Sequence, residues 1–325
     1  MGILARSIAI LAALVLQTCT ERSPEPYFQQ LKSQDLDERR RAAYELLRFD
    51  KEEVVPRLLQ EARSKDARVR LIAVQLLGKF RDRRGAPVLI AALDDETEFV
   101  AEKAAWALGE LRDVDTAPAL AAALEHRSAD VVGQALESLQ ALRAPVALAS
   151  LLALAGGASG DLRRQAVAAL GACHSYELEP VLSDSAHRMV LRTLDDPDPQ
   201  MCIAAMLGAH EFGYRGAVEA IVDRARDRAP EVRHVAVQAL GQIAAGEAPN
   251  APAEVDPQTR AAILEALVHA LGDTAYQSIR TKAIRALGAS GDSRAQFHLE
   301  RLLERGSEAD LMEAKWALEK LLIDR

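Results

Sequence analysis

The sequence predicts an all-α fold in which about nine helix pairs stack into an α–α superhelix, or solenoid. Three observations support this fold class. A short sequence unit recurs along almost the whole chain, its most frequent spacing is 31 residues, and no stretch shows the alternating β-branched pattern typical of strands. A unit of this length accommodates two helices of about 12 residues each and two short turns.

The recurring unit is clearest in the second helix of each pair. The unit recurs in the segments ARVRLIAVQLLG, LRRQAVAALG, EVRHVAVQALG and SIRTKAIRALG. Each segment has an arginine at the same place, and we use the residue immediately before it as the anchor, position 0. The nine anchors are Arg39, Val69, Val100, Val131, Leu162, Met201, Val232, Ile279 and Asp310. Position +4 is alanine in every unit, and position +8 is leucine in all but one. Since these positions share one helical face, the small residue predicts close approach of another helix.

The ends of the predicted helices carry local signals. The first helix of each early pair opens with Val-Pro or Ala-Pro, and Pro56, Pro87 and Pro118 suit a first helical turn, where the missing N–H costs nothing. Second helices often end in Leu-Gly, which we interpret as a helix-stop signal. Arg39 and Asp310 replace the apolar anchor in the first and last units, as expected of capping repeats.

The pattern D-x-x-V-R-x-x-A-x-x-x-L-G in the second helix resembles the HEAT repeat, and in particular the short PBS lyase HEAT-like subclass. The resemblance covers about residues 25–323 and implies a single solenoid domain over 27–325. It does not imply one activity, because this architecture is used by scaffolds, lyases, hydroxylases and adaptors.

The first residues predict an export signal over 1–18. Arg6 precedes a nine-residue apolar run, IAILAALVL, that is too short to span a bilayer as a helix. The sequence Leu16-Gln17-Thr18-Cys19 resembles the lipobox of bacterial lipoproteins, which implies a lipid on Cys19, a membrane anchor and a tether over 19–26. By the same analogy, Thr20 favours the outer membrane. Simple cleavage and secretion is the alternative.

The composition excludes some classes of protein. The chain has 325 residues, 49% of them hydrophobic, which excludes a disordered chain. A net charge of -8 and an aromatic content of 4% argue against nucleic-acid binding. We expect no cofactor and no small-molecule substrate. The sequence therefore favours a non-enzymatic protein-binding scaffold of the bacterial cell envelope. The alternative is a phycobilin-lyase-like enzyme or chaperone acting on a tetrapyrrole or protein substrate.

Position +6 supplies the candidate partner-binding residues. Its residue types are mixed, so we expect this position to face solvent on the concave wall built from the second helices. The candidates are Trp106, Glu137, Gln238 and Arg285. For Trp106 the alternative is that its ring is shielded against a neighbouring repeat. Trp316 occupies the same position, but we expect it to be shielded in the last repeat.

Two sets of polar residues invite a functional or a structural interpretation. Cys173 and His174 end one second helix, and His210 and Glu211 end the next, so the four could bind a divalent metal such as zinc. The alternative is a buried thiol beside unrelated polar helix ends. Arginine follows the anchor in five units, and we expect these side chains to pair with aspartates of a neighbouring turn. They are Arg40, Arg70, Arg163, Arg233 and Arg280, with Asp66 and Asp198 as the expected partners.

Two spacings exceed the 31-residue repeat. The unit before Met201 is eight residues longer, and the unit before Ile279 is sixteen residues longer. The second of these contains 244–257, which is rich in proline, alanine and glycine and predicts an exposed loop. This loop is either a binding loop or a tolerated insertion.

Overall fold

The computed structural model describes residues 23–247 and 255–323, and its contacts divide into two compact units, Met1–Arg112 and Asp113–Arg325. The predicted signal segment 1–18 and Cys19 lie outside the described residues, as do positions 248–254 of the long loop. Among the helices that the structure describes, none combines the length and the apolar character needed to cross a membrane.

Eighteen α-helices in the described ranges form nine successive pairs, which confirms the all-α repeat fold. In the first unit the pairs are α1 (Glu25–Gln30) with α2 (Leu36–Leu46), α3 (Lys51–Glu61) with α4 (Ala67–Phe80), and α5 (Ala86–Ala92) with α6 (Glu98–Glu110). In the second unit they are α7 (Ala117–Ala122) with α8 (Ala129–Leu142), α9 (Leu148–Gly157) with α10 (Gly160–Ala172), α11 (Pro180–Thr193) with α12 (Pro199–Glu211), α13 (Val218–Arg224) with α14 (Pro230–Ala244), α15 (Pro257–Ala270) with α16 (Gln277–Ala289), and α17 (Ala295–Arg305) with α18 (Glu308–Ile323). Even-numbered helices are the second helices of their pairs.

Aspartates begin many of these helices. The Asp66 carboxylate accepts a hydrogen bond from the Arg68 backbone N–H at the start of α4, at 2.9 Å, which satisfies one of the unpaired donors of the first turn. Pro87 and Pro118 lie in the first turns of α5 and α7, as predicted. Pro56 lies inside α3, because the Asp50 cap begins that helix earlier than the proline pattern predicts.

The predicted +4 and +8 positions form the core of the internal repeats. From α4 to α16 the +4 alanines are fully buried, and each +8 side chain is at most 1% exposed. The first repeat departs from the predicted register, because its buried residues are Arg39, Ala42 and Leu46. Its anchor is therefore Glu38, 31 residues before Val69.

Glycine at +9 sets how closely successive second helices approach. Gly78 and Gly288 lie inside α4 and α16, so the helix-stop interpretation of Leu-Gly is wrong for them. A Cβ on Gly78 would lie 2.8 Å from the Cβ of Ala107, and one on Gly288 would lie 2.7 Å from that of Ala317, both shorter than any ordinary contact. The partner residue occupies +7 of the next second helix. The same +9 to +7 contact joins Gly171 to Gly208 and Gly241 to Ala286.

The arginine at +1 also connects one repeat to the next. The guanidinium of Arg70 binds both carboxylate oxygens of Asp95, at 2.7 and 2.9 Å, in the inter-helix turn of the following repeat. The expectation of a structural arginine ladder is correct here, but the two expected aspartates have other partners. Asp66 contacts Arg68, and Asp198 contacts Arg164 at 3.7 Å. The corresponding turn aspartates are Asp196, 3.9 Å from Arg163, and Asp273, which pairs with Arg233. Arg280 instead pairs with Asp310 in the first turn of α18.

Register decides which arginine of the first repeat belongs to this set. Arg39, not Arg40, donates to the carbonyls of Ser33 and Gln34, as Arg70 does to the equivalent carbonyls five and six residues before it. The Arg40 side chain is 72% exposed. Arg39 therefore has the structural role that the sequence pattern had suggested for Arg40.

We predict that Gly288→Ala destabilises the protein by about 1–3 kcal/mol, because the added methyl group would overlap the α18 backbone at Ala317. Gly156→Ala in α9 is the matched control. A Cβ there meets nothing within 4 Å, so the substitution is expected to be neutral or to stabilise by about 0.5–1 kcal/mol. Urea denaturation monitored by circular dichroism measures the change in unfolding free energy for both variants. Equal effects of the two substitutions would contradict the close-contact role of +9.

We predict that Asp95→Asn destabilises the protein at pH 7 by about 1–3 kcal/mol, because it leaves the Arg70 guanidinium, 10% exposed, without its carboxylate. Burial alone would raise the pKa of the Asp95 carboxyl, but bonds from Arg70 and the Thr97 backbone N–H hold it below its ordinary value. A lowered folded-state pKa contributes stability above pH about 4 that is lost as the pH falls through the folded value.

The difference in unfolding free energy between wild type and Asp95→Asn should therefore shrink as urea titrations move from neutral to strongly acidic pH. Glu96→Gln is the control, since Glu96 also contacts Arg70 but is 83% exposed, and exposed pairs contribute little. A pH-independent difference for Asp95→Asn, or an equal loss for Glu96→Gln, would contradict this role.

Candidate functional site

Each internal second helix exposes one position between buried neighbours. From α4 to α16, residues at +4, +5, +7 and +8 are buried, whereas the +6 side chain is exposed or half-buried. At 100° per residue, +6 lies opposite the centre of the other four positions. We call these residues the +6 row. In the first unit they are Tyr44, Gln75 and Trp106, and in the second Glu137, Ala168, Leu207, Gln238, Arg285 and Trp316.

Three of the four predicted binding residues are exposed members of this row. Glu137, Gln238 and Arg285 lie on α8, α14 and α16. The Lys282 ammonium donates to the Gln238 side-chain oxygen at 2.7 Å, and Arg285 forms two bonds of 2.6 and 2.7 Å to the Glu313 carboxylate. In both cases the partner residue, Lys282 or Glu313, occupies position +3 of the following second helix. These side chains are therefore oriented by their neighbours while remaining accessible.

The two tryptophans differ from each other. Trp106 is half-buried, and a Cβ on Gly78 would lie 2.9 Å from its ring atom Cζ3, so one edge of the indole packs against α4. Trp316 is 46% exposed, with the Lys320 ammonium 5.6 Å from its ring centroid. The expectation that Trp316 is shielded is wrong, because its position on α18 faces away from the buried residues Ala314 and Ala317.

Sequence reasoning missed two members of the row. Tyr44 is 66% exposed, and it occupies +6 only after the anchor of the first repeat moves to Glu38. Leu207 is 54% exposed on α12. Its position relative to Met201 was available from the spacing alone, so the repeat pattern was sufficient to find it.

Three of the four candidate metal ligands contact groups outside the set, and the fourth, His210, lies 3.9 Å from its neighbour Glu211. The Cys173 thiol faces the Leu139 carbonyl at 3.5 Å, the His174 imidazole contacts the Gly171 carbonyl, and Glu211 pairs with Arg143 at 2.8 Å. No group of three or more potential ligands suited to a metal ion occurs within 23–247 and 255–323. The structure therefore does not support the proposed metal site.

An aromatic cluster occupies that region instead. The Phe212 ring contacts the imidazoles of His174 and His187, with ring centroids 4.3 and 4.8 Å away. Tyr176 packs against the same group. Burial raises the pKa of the neighbouring Cys173 thiol to about 11, so this cysteine is protonated at neutral pH. Ring packing around Phe212 therefore accounts for the orientations of the His174, His187 and Tyr176 side chains.

Comparison with known families supports a HEAT-repeat protein. The family of HEAT repeats matches residues 24–107 and 86–171. The described helix pairs continue the same repeat beyond that range to α18. A search of curated proteins finds no match to this chain.

Solved structures show the same fold at low sequence identity. The YibA protein of Escherichia coli is 17% identical, with a TM-score of 0.56 over 90% of this chain and 99% of that one. Kap95p, solved in complex with RanGDP, is 14% identical, with a TM-score of 0.63 over 95% of this chain and 47% of that one. The CpcE–CpcF phycocyanin lyase from a Nostoc species is 22% identical over 84% of this chain and 95% of that one. Its TM-score of 0.46 is too low to support an argument about function.

Proposed function

We propose that the protein is a non-catalytic scaffold that binds a protein partner through the +6 row. The observation that carries this proposal is that the +6 side chain of every internal second helix is exposed or half-buried between buried neighbours. Residues at +6 can be substituted without altering the core, because the contacts between helices use other positions. Repeat proteins use extended surfaces of this kind for binding.

The composition of the row favours a protein partner. Tyrosine, tryptophan and arginine dominate the residues whose truncation most weakens protein interfaces, and the row includes Tyr44, Trp106, Arg285 and Trp316. Leu207 adds an exposed apolar side chain on α12. The negative net charge of the chain disfavours a nucleic acid as the partner.

We predict that a photo-crosslinking amino acid in place of Gln238 captures a specific protein in living cells, because this position is exposed on α14. The matched control is Glu219, an exposed position on the first helix α13, which should give no such product. The captured protein would then be purified and titrated against Leu207→Ser and Trp316→Ala. Each variant should weaken binding by about tenfold, as loss of an interface anchor does. Capture from Glu219 but not from Gln238 would contradict the proposal.

We also propose that the scaffold acts in the cell envelope, held by a lipid on Cys19. The apolar run before Cys19 and the lipobox-like residues support this localisation. The prediction is that wild-type protein sediments with membranes, begins at Cys19 and carries acyl mass, while Cys19→Ser lacks that mass. Fractionation and intact-mass measurement test both. A soluble cytoplasmic protein with residues 1–18 retained would overturn this address.

A further inference from the structure

Helix α2, the second helix of the first repeat, carries more outward-facing arginines than the packing of the repeats requires. Its sequence contains three consecutive arginines, of which Arg39 points inward and bonds to two backbone carbonyls. Arg40 and Arg41 are exposed and occupy +2 and +3 in the corrected register. The other second helices have at most one cation at these two positions, such as Arg164 in α10 or Lys282 in α16.

The exposed arginines of α2 surround Tyr44. Arg40, Arg41 and Tyr44 are spaced so that they lie on one face of α2, opposite the buried Ala42, and Arg48 follows in the turn after the helix. Side-chain exposure is 72% for Arg40 and 55% for Arg48, and Tyr44 is 66% exposed. We call these four residues the α2 patch.

The bonds of the α2 patch are local. Arg40 approaches Asp37 at 3.9 Å, Arg41 donates to the backbone carbonyl of Asp37 at 3.3 Å, and Arg48 contacts Glu45 at 3.3 Å. Exposed pairs between residues three apart on one helix contribute little to stability.

Some outward cations elsewhere in the chain connect different repeats. Arg81 pairs with Glu110 at 2.6 Å, and Arg285 pairs with Glu313 at the same distance. Within 23–247 and 255–323 the bonds of the α2 patch join only neighbouring residues of the first repeat. Its guanidiniums can therefore exchange their local partners for those of a ligand without loosening the repeat stack.

We propose that the α2 patch recognises an acidic segment of the protein partner, with Tyr44 as the aromatic anchor and the arginines binding carboxylates. This inference rests on the proposed scaffold function and specifies one end of its binding surface. Guanidinium groups bind carboxylates in a planar, two-bond geometry. Lys79, an exposed residue at +10 of α4, adds a cation one repeat further along the first unit.

The first unit also sets the length of the segment. Tyr44 and Trp106 lie at equivalent positions two second helices apart. With helix axes about 10 Å apart, the two rings are separated by roughly 20 Å. An extended segment covers about 3.3 Å per residue, so roughly six residues reach from one ring to the other. A partner with carboxylates beside aromatic or aliphatic side chains fits this arrangement.

The experiment measures binding of a short fluorescein-labelled peptide of glutamate and phenylalanine to the full chain by fluorescence anisotropy. The wild type should bind this peptide and should not bind the version in which lysine replaces glutamate. Arg40→Glu with Arg41→Glu should weaken binding by at least about tenfold, and Tyr44→Ala should weaken it by a similar factor. Added salt should weaken binding of the wild type.

The matched control is Arg188→Glu with Arg192→Glu, two exposed positions on the first helix α11 that make the same change in net charge. It should bind the acidic peptide as the wild type does, and circular dichroism checks that both double variants fold. Equal binding by the two double variants, or no binding by the wild type, would overturn the inference. Binding to phosphatidylglycerol vesicles through Arg40 and Arg41, without binding to the peptide, would assign the patch to a lipid surface and also overturn it.

These outcomes are distinct from failure of the scaffold proposal. Crosslinking from Gln238 on α14 does not depend on the α2 patch. Partner capture there without peptide binding would reject only the acidic-segment inference, whereas peptide binding without specific capture at Gln238 would count against the wider +6 row.

Discussion

The close approach of successive second helices at +9 and +7 is the contact on which the other features depend. Gly78 against Ala107 and Gly288 against Ala317 leave no room for one additional methyl group. Because the contact recurs at the same level in α4, α10, α14 and α16, it fixes the register of each of these helices against the next second helix. That register buries +4, +5, +7 and +8 of the internal second helices and leaves +6 outward. The exposed row is therefore a consequence of backbone packing.

This arrangement separates stability from recognition. Glycine and alanine at the helix contacts, together with pairs such as Arg70–Asp95, hold the repeats together. The +6 side chains can then vary from alanine to tryptophan at little cost to the core. The row contains apolar or aromatic residues, such as Tyr44, Leu207 and Trp316, as well as polar ones, such as Gln75 and Glu137.

The sequence predicted the helix pairs, the buried +4 alanines and the exposure of Glu137, Gln238 and Arg285, because the same pattern of buried positions recurs in successive units. It misassigned features that depend on tertiary contacts. Glycine after leucine suggests a helix end locally, whereas its role is to admit the next helix. Three consecutive arginines obscured the first anchor, and therefore Tyr44. The candidate metal ligands do lie on neighbouring helix ends, where His174 packs against Phe212, but ring packing and ion pairs give them other partners.

Cysteine accessibility on one second helix tests the central claim most directly. Single cysteines replace Val237, Gln238 or Ala239 at +5, +6 and +7 of α14, and maleimide labelling of the folded protein is followed by peptide mass mapping. The native thiols Cys173 and Cys202, both buried, serve as internal references for protection. The account predicts that the +6 thiol reacts at the rate of a free thiol while those at +5 and +7 stay protected. Equal labelling of the three positions would contradict it.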